Sequence, residues 1–210
     1  MSQPSHLFGR TLSRRRMLQA VSGLTLLAAG PSKAAPMPTV KEVAFDPELP
    51  ALGNPNGDVT VVEFTDYQCT YCKQSFIELS KVMAEDGNIR VVLRDWPIFG
   101  EVSRNAALLT LAAHAQGRYA EATRALMTNS ERLTFRRTAD LLGDAGVDMA
   151  LARSELARRG ESLAAILSRT HAQATAFALQ GTPGFLIGTA LYKRGMSAED
   201  LRKAIAQARA

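Results

Sequence analysis

Apolar and polar positions alternate along this chain in two distinct periods. A β-branched run at 59–62 reads as a buried strand, and a polar turn follows it. Then Cys69, Cys72, Phe76, Leu79 and Met83 recur at helical spacing up to Gly87. A second strand is expected from Ile89 to Leu93, stopped by Trp96-Pro97. From there to Pro183 the pattern is helical throughout. Helices are expected over 105–116 and 119–127, over 138–145, and after the N-cap Asp148. A long helix is expected to begin at Ser162 and stop at Gly181. Phe185-Leu186-Ile187 reads as a third compact strand, with Leu191-Tyr192 able to pair with it. Ser197 and Asp200 form a capping box that opens the last helix. Residues 35–58 are rich in Pro, Gly and Asn, and at most one short strand is expected there, over 40–45.

Composition narrows the picture. With 210 residues and 46% apolar content the chain can build an ordinary core. The formal charge of +5 invites a nucleic-acid reading, but its location removes it. Residues 1–34 contain Arg10, Arg14, Arg15, Arg16 and Lys33 and no acid. Taking those five from the 25 basic side chains leaves 20 against 20 acidic ones, so the body carries no basic footprint for nucleic acid. The same first 34 residues place a basic cluster before an apolar run at 17–30, too short for a comfortable membrane span, and read as an export signal. Ser13-Arg14-Arg15-Arg16-Met17-Leu18 resembles the twin-arginine export motif, with ordinary secretion and a permanently anchored helix as alternatives. All three carry the domain to a compartment in which cysteines can cycle through disulfides.

Cys69 and Cys72 are the only two cysteines, one helical turn apart where a strand hands over to a helix. The first turn of a helix favours an anion, so Cys69 is expected to hold a thiolate more readily than a free cysteine does. Cys72, deeper in the helix, is placed to attack a mixed disulfide on Cys69. Three other readings compete. A structural disulfide closing so short a loop gains only about 2 kcal/mol. Half of a zinc site would need further ligands, and His114 and His171 show no ligand spacing. The third is a pair of inert thiols. Glu63 lies inside the strand that leads to the cysteines. Such a carboxyl either sits beneath the thiols and exchanges protons with Cys72, or faces solvent at a strand end.

The segment Val-Val-Glu-Phe-Thr-Asp-Tyr-Gln-Cys-Thr-Tyr-Cys-Lys resembles the active-site segment of DsbA-like thiol–disulfide oxidoreductases of the thioredoxin superfamily. So do Asp46-Pro47 with Leu52-Gly53-Asn54-Pro55 upstream, and Gly181-Thr182-Pro183-Gly184-Phe185-Leu186-Ile187-Gly188 downstream. The likeness runs over about residues 44–207 and comes nearest to the subgroup linked to suppression of copper sensitivity. It implies an α/β thioredoxin fold with a helical subdomain inserted at about 101–178. The corresponding organisation is a signal at 1–34, an N-terminal segment at 35–58 and a thioredoxin-like domain at 59–210. It implies Cys69 and Cys72 as the redox pair, Glu63 as the proton manager, and a cis Thr182-Pro183 loop that positions the substrate. Exported protein thiols are the implied substrates and a membrane thiol oxidase or reductase the recycling partner. No metal or organic cofactor is implied. Isomerases of the family usually carry an oligomerising extension, and its absence before residue 46 leads us to expect a monomer. Thr70 stands where many relatives have proline after the first cysteine, which leaves the redox potential open. The direction of electron flow, and a non-enzymatic role of the thiols in metal tolerance, remain open at this point.

Overall fold

Two strands with almost no exposed side chains form the centre of the molecule. In the computed structural model, which describes residues 37–210, β2 (Val59–Thr65) and β3 (Ile89–Asp95) run parallel. They stay in register from Val59 opposite Ile89 to Thr65 opposite Asp95. Near-continuous Val, Leu and Ile suit a strand covered on both faces. The parallel pair requires a crossover, supplied by α2 (Thr70–Asp86). β4 (Gly184–Ile187) pairs antiparallel with β2, β5 (Ala190–Tyr192) with β4, and the two-residue β1 (Leu52–Gly53) with β3. The sheet order is therefore β1-β3-β2-β4-β5. Between β3 and β4 lie four helices: α3 (Glu101–Ala113), α4 (Tyr119–Thr128), α5 (Phe135–Asp144) and α6 (Met149–Ala176). The last helix, α7 (Ala198–Arg209), packs on α2, β2 and β4. This is the thioredoxin fold with a helical insertion.

Strand side chains alternate between faces, and that alternation organises the interior. Phe64 and its register partner Arg94 look towards the first and sixth helices. Phe64 meets Phe177 edge-on at 6.0 Å, and Arg94 binds the carbonyl of Val43. Glu63, one residue earlier, points to the opposite face.

Three expectations need correction. Residues 40–45 are not a strand but the short helix α1 (Val40–Ala44). Thr39 and Glu42 close a capping box across its first turn, a local signal stronger than the β-branched residues around it. The only strand in that region is β1, which lay hidden in the Gly53-Asn54-Pro55 turn. Second, α6 is a single 28-residue helix capped by Asp148, not a short helix followed by another from Ser162. Gly160 costs it about 1 kcal/mol of propensity. Leu163, Ile166 and Leu167, all buried, more than offset that by packing. The helix also stops before Gly181. The Ala178 N–H donates to the Thr175 carbonyl and the Leu179 N–H to Ala174, with Ala178 at φ 51° and Leu179 buried. That is a Schellman ending, with alanine where glycine is usual.

The expected signal sequence and twin-arginine motif lie outside the described residues. Among the described residues, no helix is long and apolar enough to cross a membrane.

Candidate active site

The site begins at the end of β2. Asp66, Tyr67 and Gln68 turn the chain, and Cys69 caps the N-terminus of α2 with extended backbone (φ −74°, ψ 116°). Its Sγ accepts a hydrogen bond from the Cys72 N–H at 3.3 Å. A thiolate at that point replaces the serine or aspartate that usually caps a helix, and the helix end favours its charge. Cys72, one turn on, is completely buried, and Cys69 is 4% exposed. Both are free thiols.

The second half of the site comes from the far end of the fold. The Schellman ending of α6 sends the chain back through Gln180 and Gly181 into Thr182-Pro183, and that peptide bond is cis. The Cys69 thiol donates to the Thr182 carbonyl at 3.4 Å. At once β4 begins at Gly184, where a side chain would run into Leu179 at 3.0 Å. A shallow cavity of about 240 Å³ lies beside this loop, lined by Tyr71, Thr182, Pro183 and Lys193 among others. On the opposite flank of α2 a groove of about 630 Å³ runs between Thr70, Lys73 and Ile77 on one wall and Phe99, Met127 and Leu133 on the other.

Electrostatics split the two thiols. The Cys69 pKa falls to about 6, chiefly because the Cys72 thiol hydrogen-bonds to its sulfur; burial works against this, and the Thr182 side chain and the backbone N–H groups of Cys72 and Tyr71 add to the lowering. Burial pushes the Cys72 thiol far up, and Cys69 and the nearby Glu63 add to that. Glu63 is fully buried, which rules out the solvent-facing alternative, and neither of its carboxyl oxygens has a hydrogen-bond partner among the described residues. Burial, and next the charge of Cys69, raises its pKa well above the usual carboxyl range. The structure thus brings together all five residues singled out in the sequence: Cys69, Cys72 and Glu63 from β2 and α2, and Thr182 and Pro183 from the loop before β4. His114 and His171 lie elsewhere. His114 is exposed, and His171 accepts a hydrogen bond from the Trp96 indole. Among the described residues no cluster of His, Cys, Asp or Glu could hold a metal ion.

Sequence reading missed Asp66 and Lys73. Asp66 gathers four hydrogen bonds from residues up to 37 positions away. Its bond to the Gln68 N–H is an Asx-turn, a signal legible in Asp-Tyr-Gln. The remaining donors are brought by the fold. The Lys73 amine donates to the Asn129 carbonyl at 2.7 Å and so ties α2 to the α4–α5 loop.

A covered cysteine pair at a helix mouth, with the Thr182-Pro183 loop against it and a buried acid nearby, is an arrangement chemically able to carry thiol–disulfide exchange on a thioredoxin scaffold. Comparison with known proteins agrees. The family described as Thioredoxin matches residues 46–207, and the chain belongs to it. Among solved structures it is similar to a thioredoxin-like oxidoreductase from Silicibacter pomeroyi. That match has 34% identity and TM-score 0.78, and covers 82% of this chain and 98% of that one. It is also similar to the thiol-disulfide exchange protein alpha-DsbA2 from Wolbachia pipientis, at 25% identity and TM-score 0.74, over 80% and 90% of the two chains. The catalytic domain of ScsC from Proteus mirabilis, 20% identical at TM-score 0.71 over 80% and 93%, shares the fold. The DsbA-like resemblance read from the sequence therefore holds. A curated relative is the Na(+)/H(+) antiporter NhaA 1 of Salinispora arenicola, 31% identical over 176 residues. The match takes in 79% of this chain and 26% of the antiporter, so the chain spans about a quarter of the length of the curated relatives it matches.

Proposed function

We propose that the chain is an exported thiol–disulfide oxidoreductase that donates its Cys69–Cys72 disulfide to exported protein thiols. A substrate thiolate attacks the Cys69 sulfur, the Cys69–Cys72 bond breaks, and the electron pair leaves on Cys72. Glu63 supplies the proton that the buried Cys72 sulfur needs. A second substrate thiolate then attacks the substrate sulfur of the mixed disulfide and releases Cys69 as thiolate. In the reverse direction Cys72 resolves the mixed disulfide. Thr182 and Pro183 hold the extended substrate chain against Cys69 by backbone pairing. A membrane thiol oxidase that accepts the two electrons closes the cycle. The basic-then-apolar leader at 1–34 supports delivery to the periplasm.

One observation supports the donor direction. Cys69 caps α2 and its pKa is lowered to about 6, so the reduced pair is stabilised as a thiolate and the disulfide is a correspondingly good oxidant. The test is to mix the oxidised protein with reduced, unfolded ribonuclease. Wild type should form substrate disulfides stoichiometrically, Cys69→Ser should form none, and Cys72→Ser should accumulate mixed disulfides. A reduction potential as low as that of a dedicated reductase, with no disulfide donated, would reverse the direction. Equal alkylation of both thiols at low pH would end the division of labour between them.

A further inference from the structure

Asp66 stands three residues before Cys69 and is only 2% exposed, yet among the described residues no cation lies within ion-pair distance of it. Its carboxyl oxygens instead collect four donors. Oδ1 accepts from the Gln68 N–H at 2.7 Å and the Ser103 hydroxyl at 2.7 Å; Oδ2 accepts from the N–H groups of Ile98 at 2.8 Å and Phe99 at 3.2 Å. The Asp66 backbone carbonyl takes the Cys69 N–H at 3.0 Å. Gln68 doubles the link, since its side-chain amide donates to the Phe99 carbonyl at 3.3 Å and to Ser103 at 3.0 Å. At the other end of the 96–99 loop, the Trp96 N–H donates to the Thr65 carbonyl at 2.7 Å. One carboxyl thereby joins the turn that presents Cys69, the loop after β3 and the first turn of α3. With its backbone held, that loop displays Ile98 at 41% and Phe99 at 54% exposure, and Phe99 forms a wall of the groove that reaches Thr70.

We propose that Asp66 is the positioning residue of this site: it fixes the Cys69 turn and, through Ile98 and Phe99, an apolar rim against which the substrate chain lies. The inference rests on Cys69 as the nucleophile, and it names the rim as the part of the site that favours apolar side chains near the reacting substrate cysteine. A carboxylate is required by count, because four donors need four acceptor positions on two oxygens. Asparagine keeps one oxygen and turns an NH₂ group towards N–H donors. The other groups facing this corner are Lys73 from α2 and Asp95 from β3, both near enough to feel the Asp66 charge. Neither makes a hydrogen bond to Asp66, so neither can replace it.

The experiment uses the full chain and two readouts that a purely structural role leaves alone. The first is the rate of Cys69 alkylation as a function of pH in the reduced protein. The second is KM against kcat for oxidation of peptides carrying an apolar or a polar residue beside one cysteine. Asp66→Asn should slow Cys69 alkylation at pH 6 by about threefold or more, as loss of roughly one net hydrogen bond's worth of alignment implies. It should also raise KM for the apolar peptide and shift the emission of Trp96, the only tryptophan. Ser103→Ala, which removes a single donor, should move all three the same way by less. Phe99→Ala should change KM alone. A folded Asp66→Asn protein with the wild-type alkylation profile and KM would overturn the proposal. If that variant does not fold, wild-type behaviour of both Ser103→Ala and Gln68→Ala would do the same. Exchange activity surviving in Cys69→Ser would sink the functional reading instead, and the alkylation profile would still decide the role of Asp66.

Discussion

Arg94 and Glu63 occupy neighbouring central strands, Arg94 one residue beyond the register partner of Glu63, and both are completely buried. Their surroundings are opposite. Arg94 binds the carbonyls of Val43 (2.9 and 2.7 Å) and Glu42 (2.6 Å) and the carboxyl of Asp46 (2.9 Å). Asp46 is held in turn by Arg169 at 2.7 and 2.9 Å. Every polar group of that cluster has a partner, and its effect is to pin residues 42–48 onto the sheet and α6. Glu63 has no partner, on the face that carries the cysteines. A buried charge with complete pairing is a structural device, although it is not necessarily more stabilising than an apolar one. A buried carboxyl left unpaired costs stability, and the proton transfer proposed for Glu63 above would give that cost a use.

The largest expected effect comes from breaking the paired side. Arg94→Leu strands the Val43 and Glu42 carbonyls and weakens the hold on Asp46, and should cost about 3–5 kcal/mol. Urea unfolding measures it, and thiol chemistry should survive in whatever fraction stays folded. A loss under 1 kcal/mol would mean that this cluster anchors nothing.

Next comes the unpaired side, with the opposite sign. Glu63 has a folded pKa raised above its ordinary 4.5, so the unfolded state releases its proton first and folding loses stability as pH rises above that value. Glu63→Gln removes the penalty. It should stabilise the protein by about 1–3 kcal/mol at pH 7 and by almost nothing at pH 4. The same variant should slow the release or resolution of Cys72. Asp46 runs the other way. Burial pushes its pKa up, but the Glu48 N–H, Arg169 and Arg94 together outweigh that and hold it below the ordinary 3.8. The stability it contributes is present at neutral pH and fades as pH falls through the acid range. Relative to wild type, the melting temperatures of Glu63→Gln and Asp46→Asn should therefore diverge in opposite directions as pH rises from 3 to 8, and parallel curves would erase the contrast.

The smallest effect sharpens the boundary between the two kinds of site. Arg169 is 36% exposed in its pair with Asp46, and water screens it. Arg169→Gln should cost about 1 kcal/mol or less, because Arg94 still holds Asp46. A cost equal to that of Arg94→Leu would show that the cluster acts as one unit and not through its buried member.

Some of this was legible along the chain and some was not. The strand–turn–helix around Cys69 and Cys72 could be read because period, turn residues and the helix mouth all lie within some twenty consecutive residues. The capping boxes at Ser197 and at Thr39 are equally local, yet the β-branched residues at Val40 and Val43 drew a strand reading at 40–45. The break expected at Ser162 failed for the reverse reason. Gly160 is a real local weakness, but the turns that follow it pack Leu163, Ile166, Leu167 and Ala174 into the interior.

The sequence by itself determined the thioredoxin fold class, the placing of the two cysteines at a helix mouth, and the loop at Thr182 and Pro183, because each is written in a contiguous motif. Only the tertiary structure decided which way the side chains of β2 face, and so that Glu63 is buried without a partner while the adjoining Arg94 has several. It alone brought Ser103, Ile98 and Phe99 to Asp66, and Thr182 to Cys69 across 113 positions. The physical reason is range. Caps, turns and periodicity act within a few residues of chain, whereas burial and hydrogen-bond satisfaction depend on which distant segments the sheet and the inserted helices bring into contact.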